Sequence, residues 1–321
     1  MIKTLVYHPD EGVKYTEGIL PFRELINDKE YTFWVDLEQP TDEEAYILTS
    51  DFKFHPLVIE DVIVEQGLPK LDVFSEYLFL VFYTSYYKSE GELGLKEIDF
   101  FYGRNFVVTV HNDMFPVLEK IRQRCMKDER VLSRGADFAF HTILDYIVDG
   151  FVSVKESVQS YIDLVEAEVF SGDAEPEILK RIFELKEDIG ALRRLASSQK
   201  QILWRFSRGE YKLVSGASLI YFRDVYDHIN SILEQAENFN ELLSNILQVF
   251  LSMESNKTNA IMKTLTIFTA LLLPLSVIAG IYGMNLDFPE KNIPGSYYWV
   301  LGLMAVIVGG LVIFFKKKDW L

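Results

Sequence analysis

NAIMKTLTIFTALLLPLSVIAGIYGMNLDFPE, residues Asn259–Glu290, is the stretch on which the reading of the chain turns. Thr264–Leu286 holds 23 consecutive uncharged residues. At a helical rise of about 1.5 Å per residue this is roughly 34 Å, enough to cross a bilayer core. The run ends in Tyr282-Gly283-Met284-Asn285, and acids follow at Asp287 and Glu290. A second uncharged run of 24, Asn292–Phe315, closes on Lys316-Lys317-Lys318. The pattern predicts two membrane spans joined by a very short loop.

The first span carries a second period. Asn259, Met262, Thr266, Thr269, Leu273, Ser276 and Gly280 are separated by alternating steps of 3 and 4. One face therefore repeats every 3.5 residues, as in a helix packed against parallel copies of itself. That seam holds an amide, hydroxyls and a glycine, with long apolar residues only at Met262 and Leu273. A polar stripe at membrane depth needs water or another helix beside it. Two readings stand: small and hydroxyl residues that glue spans together, or a pore lining with apolar rings at Met262 and Leu273. Gly283-Met284-Asn285 reads either as a helix cap, with glycine supplying a positive φ, or as a pore mouth whose broken helix end offers carbonyls and amides.

Bulk properties narrow the class. A chain of 321 residues with 49% apolar composition can build a large core and more than one domain. Net charge is −16; residues 256–321 hold six lysines and three acids, so residues 1–255 carry −19. That excess of acid argues against nucleic acid and suits a region that attracts cations. The single cysteine, Cys125, excludes an intramolecular disulfide and a thiolate cluster and fits a reducing compartment. MIKTLVYHPDEG reaches charge too early for a signal peptide. Lysines flank the outer ends of both spans and acids dominate the loop, which predicts both termini in the cytoplasm, in a cell membrane protein. Tyr282, Tyr297, Tyr298, Trp299 and Trp320 fall where an interfacial aromatic belt is expected.

Six segments are expected. Residues 1–130 read as a cytoplasmic α/β domain, with strands at Ile2–Tyr7, Tyr31–Val35, Tyr77–Tyr86, Lys96–Phe101 and Phe106–His111. Helices are expected from Thr41, with Glu44 completing a capping box, over Pro56–Val64 and over Pro116–Met126. Residues 136–215 read as a helical hairpin, broken at Ser171-Gly172-Asp173 and reopened at Pro176. Residues 217–285 form one long helix that includes the first span at about 264–285, with Pro274 its only proline. An outer loop (286–296), a second span (297–315) and a basic tail (316–321) follow.

His55-Pro56-Leu57-Val58-Ile59-Glu60-Asp61, Tyr221-Phe222-Arg223-Asp224-Val225-Tyr226-Asp227-His228, Pro274-Leu275, the YGMN of Tyr282–Asn285, Pro289-Glu290 and the terminal KKKDWL together resemble the CorA family of magnesium channels. The similarity covers nearly the whole chain. It implies a homopentamer with a funnel-shaped cytoplasmic domain and passive Mg²⁺ uptake, with Co²⁺ or Ni²⁺ also permeating. It implies an intersubunit regulatory Mg²⁺ site, Asp61 of one protomer facing Asp224 of another, with Glu60 and Asp227 in support. From the residues alone these acids are also readable as solvated charges. The loop after Asn285 is one residue shorter than the common family form, so the alignment of Asp287 and Glu290 with the family's loop acids stays open.

The nearest rival is a zinc or other divalent carrier of the same superfamily, proton-coupled or not. Zinc favours His and Cys, whereas His8, His55, His111, His141 and His228 show no close pairing in sequence and none lies in a span. Oxygen ligands suit Mg²⁺. A third reading, a membrane-anchored scaffold without transport, predicts Leu or Ile on the seam rather than Thr and Ser. No GxxxxGK[ST], HExxH or GxSxG motif occurs, so neither nucleotide-driven transport nor an enzyme is expected. Cys125, His141 and Trp204 read as structural.

Overall fold

The computed structural model describes residues 1–64, 68–87, 93–172, 177–284 and 294–320. It divides into two compact units, Met1–Ile246 and Leu247–Leu321.

The first unit is built on one seven-stranded sheet. In chain order its strands are β1 (Ile2–His8), β2 (Gly12–Glu17), β3 (Thr32–Glu38), β4 (Lys70–Val73), β5 (Tyr77–Tyr87), β6 (Leu93–Gly103) and β7 (Phe106–His111), arranged β2-β1-β3-β7-β6-β5-β4. Among the described strands only β3 and β7 run parallel, Phe33 opposite Phe106 and Glu38 opposite His111. The five strands expected from sequence are present. The two additional ones, β2 and β4, are the sheet edges.

Strand β5 is apolar on both faces, and the fold covers both. Tyr77, Phe79, Val81 and Tyr83 belong to a core shared with Phe22, Ile47, Leu48 and Val58. These come from the short helices α1 (Phe22–Asn27), α2 (Asp42–Ser50) and α3 (Pro56–Ile63). On the other face, Phe100 and Tyr102 of β6 meet Phe140 at ring-centroid distances of 5.4 and 4.8 Å. Phe140 lies on the 36-residue α6 (Ala136–Ser171), which follows α4 (Pro116–Lys127) and α5 (Arg130–Ser133).

The local signals act as their chemistry dictates. The Thr41 hydroxyl accepts from the Glu44 amide while Glu44 Oε2 accepts from the Thr41 amide, so α2 begins with both halves of a capping box. Gly172 ends α6 with φ of 82°, a conformation open to glycine at little cost. A buried polar knot ties β3, β7 and α4 together. Asp36 accepts from Thr109 (2.6 Å) and Arg122 (2.9 Å) and lies 3.0 Å from His111 Nε2. Burial opposes ionisation of Asp36, but the bonds from His111 and Thr109 and the charge of Arg122 outweigh it and hold the pKa below its ordinary value.

Two long helices complete the unit, α7 (Glu177–Ser207) and the first part of α8 (Leu219–Tyr282). Within this unit α8 buries Phe222, Val225, Ile229, Ile232, Ala236, Phe239, Leu243 and Ile246. These again step by 3 and 4, a heptad seam. Phe222 meets Phe140 and Phe206, and Lys186 of α7 donates to Ser244 Oγ at 2.6 Å.

The second unit holds the remainder of α8 and α9 (Ser296–Lys317). Both helices are long and apolar enough to cross a membrane, with 18-residue windows of mean hydropathy 2.1 and 2.4. In these spans most apolar side chains face outward, as expected where lipid or other copies are the surroundings; Ile267 and Phe315 are the buried exceptions among the described span residues. Extending the heptad of Phe222–Ile246 along α8 places Lys257, Ala260, Thr264 and Ile267 on it, and every residue of the Asn259–Gly280 seam lies two positions further on. The Asn285, Asp287 and Glu290 positions lie outside the described residues.

Candidate functional site

A cluster of ligating side chains forms where α6 and α8 lie side by side within the first unit. Asp145 and Asp149 stand one turn apart on α6, and Asp224 and His228 one turn apart on α8, so each pair shares a helix face. His228 Nδ1 is 3.6 Å from Asp145 Oδ1 and 3.8 Å from Asp149 Oδ1, and its Nε2 is 4.0 Å from Asp224 Oδ1. One ligand atom from each of Asp145, Asp224 and His228 lies within 4.8 Å of the others. Mg²⁺ held directly by two opposite oxygens at about 2.1 Å would separate them by roughly 4.2 Å. The separations of His228 from Asp145 and Asp224, 3.6 and 4.0 Å, are of that order.

The electrostatics favour a cation here. Asp145 Oδ1 is buried without a hydrogen-bond partner. Burial, then the charge of Asp149, pushes the Asp145 carboxyl above its ordinary value, and His228 opposes this only in part. A divalent ion would relieve both causes. One turn earlier on α6, His141 is enclosed by Phe138, Tyr221 and Phe222, and burial lowers its pKa to about 4. It is a neutral core residue. Cys125 is buried too, its thiol pushed up to about 12 by burial.

Of the four acids singled out from sequence, Asp224 joins this cluster and Asp61 does not. Asp61 sits on α3 and bonds Lys70, which also lies 3.3 Å from Asp72. Glu60 and Asp227 are exposed. Leu57, Ile63 and Val64, in α3 or just after it, and Leu68 and Val73, in the segment that follows, are all between 58% and 69% exposed. Sequence reasoning passed over Asp145 and Asp149 and the place of His228 beside them. Two i,i+4 pairs, Asp145/Asp149 and Asp224/His228, were the available signal.

In the second unit all seven seam residues are exposed, Met262 at 55% and Leu273 at 62%. The hydroxyls of Thr266 and Thr269 donate to the carbonyls of Met262 (2.7 Å) and Leu265 (2.9 Å) one turn back. Their protons are thus engaged along the helix, and what they offer outward is oxygen lone pairs. The helix ends at Tyr282, with the Gly283 amide bonded to Ala279 O at 2.9 Å. Gly283 does not adopt a positive φ, contrary to the cap reading. Its glycine is required because a Cβ would stand 2.8 Å from the Ala279 carbonyl oxygen. The negative end of the helix dipole therefore sits at this terminus.

Residues 29–317 match the model of the family described as CorA-like Mg²⁺ transporter protein. The chain belongs to the CorA family. It is 33% identical to the cobalt/magnesium transport protein CorA of Thermotoga maritima over 309 residues, covering 95% of this chain and 87% of that one. It is 34% identical to YfjQ of Bacillus subtilis over 289 residues, 90% of this chain and 89% of that one. The fold matches the complete structure of the CorA magnesium transporter from Methanocaldococcus jannaschii, with a TM-score of 0.84, 20% identity and coverage of 99% and 98%. CorA membership makes this chain a membrane metal-ion transporter, in keeping with two helices able to span a bilayer.

Proposed function

We propose that several copies of this chain surround one axis and form a channel for Mg²⁺ through which Co²⁺ or Ni²⁺ also passes. The observation that carries the reading is the seam of α8. Seven residues at coiled-coil spacing are exposed in the single chain, and the threonine hydroxyls among them present acceptors. Water bound to a cation points its hydrogens outward, so a ring of acceptors suits a hydrated divalent ion, and Mg²⁺ parts reluctantly with its water. Asn285 at the mouth would act the same way through its side-chain oxygen. The helix dipole adds a negative field there. With both termini cytoplasmic, inward movement of a divalent ion gains about 4.6 kcal/mol per 100 mV, twice the single-charge figure. No other energy source is needed.

Control by cytoplasmic Mg²⁺ fits the first unit. Residues 1–255 carry −19 per copy, so copies packed side by side repel unless cations lie between them. The exposed apolar residues of α3 and the segment after it fit a neighbouring copy, and Asp224 faces outward with its side chain 67% exposed. Asp61 of one copy and Asp224 of the next, backed by Glu60 and Asp227, would share an ion whose loss at low Mg²⁺ loosens the ring. A pentamer is the assembly proposed. The deciding experiment is flux into vesicles reconstituted with the full chain, comparing Mg²⁺, Co²⁺ and Zn²⁺ with and without a pH gradient. Mg²⁺ flux that follows membrane potential and ignores the pH gradient is expected. Flux of Zn²⁺ alone, or flux that requires the pH gradient, would favour the zinc carrier, and no flux would favour the scaffold.

A further inference from the structure

The residues after α9 form a complete helix-ending turn of unusual composition. The Trp320 amide donates to Phe315 O at 2.9 Å and the Asp319 amide to Lys316 O at 3.3 Å. Trp320 also stacks on Phe315, with ring centroids 5.8 Å apart and planes at 17°. These are the two backbone bonds and the apolar contact of a Schellman motif. The position that must turn left-handed is normally glycine; here it is Asp319, at φ of 54°. Aspartate is one of the few residues with a Cβ that enter that region readily. The turn is held from the other helix: Lys263 of α8 donates its ammonium to the Asp319 carbonyl at 2.6 Å. One turn beyond Lys263, Ile267 is buried, as is Phe315 inside the turn. The Asp319 carboxylate takes no part in this bond.

We propose that Lys263 is a positioning residue that tethers the turn after α9 to the Met262 turn of α8 within one protomer. Lys263 adjoins Met262 in the chain, so a movement of α8 that displaces Met262 either carries the tail with it or breaks the tether. The part of the inference that concerns gating rests on the channel reading above; the tether itself does not. Two measurements on the full chain in lipid nanodiscs or vesicles separate them. The first is tryptic release of the segment following Lys316–Lys318, read by intact mass. Lys263→Met should accelerate release at least about fivefold, while Lys263→Arg, which keeps a cationic donor, and Asp319→Asn, which keeps the backbone carbonyl, should cut at the wild-type rate. Wild-type kinetics in Lys263→Met would overturn the tether, and acceleration by Asp319→Asn would show an ordinary carboxylate pair instead. The second is the internal Mg²⁺ concentration that halves flux. Lys263→Met should shift it at least about threefold and Lys263→Arg should restore it. Faster cleavage with an unshifted flux response would reduce Lys263 to a structural clip. Should Lys263→Met fail to assemble, Lys263→Gln is the substitute under the same criteria. If the wild type carries no ion the channel reading fails, and the cleavage kinetics still judge the tether.

Discussion

Asp145→Asn is the sharpest probe of the α6–α8 cluster, because its two expected effects have opposite signs. Without divalent ions the substitution removes a carboxylate that lies within 4.8 Å of Asp224 and beside Asp149. At the outer limit of that separation two unit charges repel by roughly 1 to 3.5 kcal/mol for effective dielectric constants between 80 and 20. Asp224 is largely exposed, so the lower figure applies. For a unit of this size about 1 kcal/mol corresponds to a rise in Tm of roughly 2–4 °C in EDTA. With Mg²⁺ the sign reverses. A site filled at one hundred times its Kd stabilises by about 2.7 kcal/mol. Loss of one of three protein ligands that weakens binding tenfold leaves about 1.4 kcal/mol at the same concentration, so the Mg²⁺-induced rise should halve. Thermal unfolding of the full chain in detergent, titrated with Mg²⁺, measures both. A variant whose Tm in EDTA and whose Mg²⁺ response both equal the wild type's would show that Asp145, Asp224 and His228 hold no ion.

Four further outcomes are expected. Asn285→Ala should abolish Mg²⁺ uptake while the assembly survives on size exclusion; undiminished flux would move the selective contact elsewhere. Met262→Asp, which wets an apolar ring, should leak Mg²⁺ even at high internal Mg²⁺, and unchanged inhibition would place the gate at another level. Asp224→Lys supplies a tethered cation and should keep the first unit protease-resistant without Mg²⁺, whereas Asp224→Ala should weaken Mg²⁺ protection; wild-type titrations for both would make Asp224 a solvated acid. Asp36→Asn takes one of the two carboxylate partners of buried Arg122, leaving Glu119, and should cost about 1–3 kcal/mol. Because Asp36 has a lowered pKa when folded, its contribution is present above the ordinary carboxylate value and lost as pH falls through the folded one. The wild type should therefore lose stability into acid more steeply than Asp36→Asn, and parallel pH profiles would contradict this.

What could be read in the chain follows from which forces are local. The apolar runs, the 3.5-residue seam, the Thr41 capping box and the glycine stop at Gly172 all act within a turn or two of their own residues. β2 and β4 escaped notice because they are sheet edges: GVKYTE is half exposed and KLDV has four residues, so neither shows a buried alternation. The α6–α8 cluster escaped for a different reason. Its two i,i+4 pairs are visible, but 78 residues separate Asp145 from the turn containing Arg223, and only the fold lays one helix along the other. Gly283 shows the same limit on a smaller scale: the sequence marks a helix end, while the crowding by Ala279 O that requires glycine is visible only in three dimensions.

The seam of α8 carries its own register. Its steps of 3 and 4 bring like residues to one face once every seven positions, so adding or deleting one residue just before Thr266 turns everything beyond it by about 100° and points leucine or isoleucine where that threonine stands. Seven residues return the face to within about 20°. A substitution on the seam thus changes one rung of a ladder, whereas a change of length displaces every rung after it.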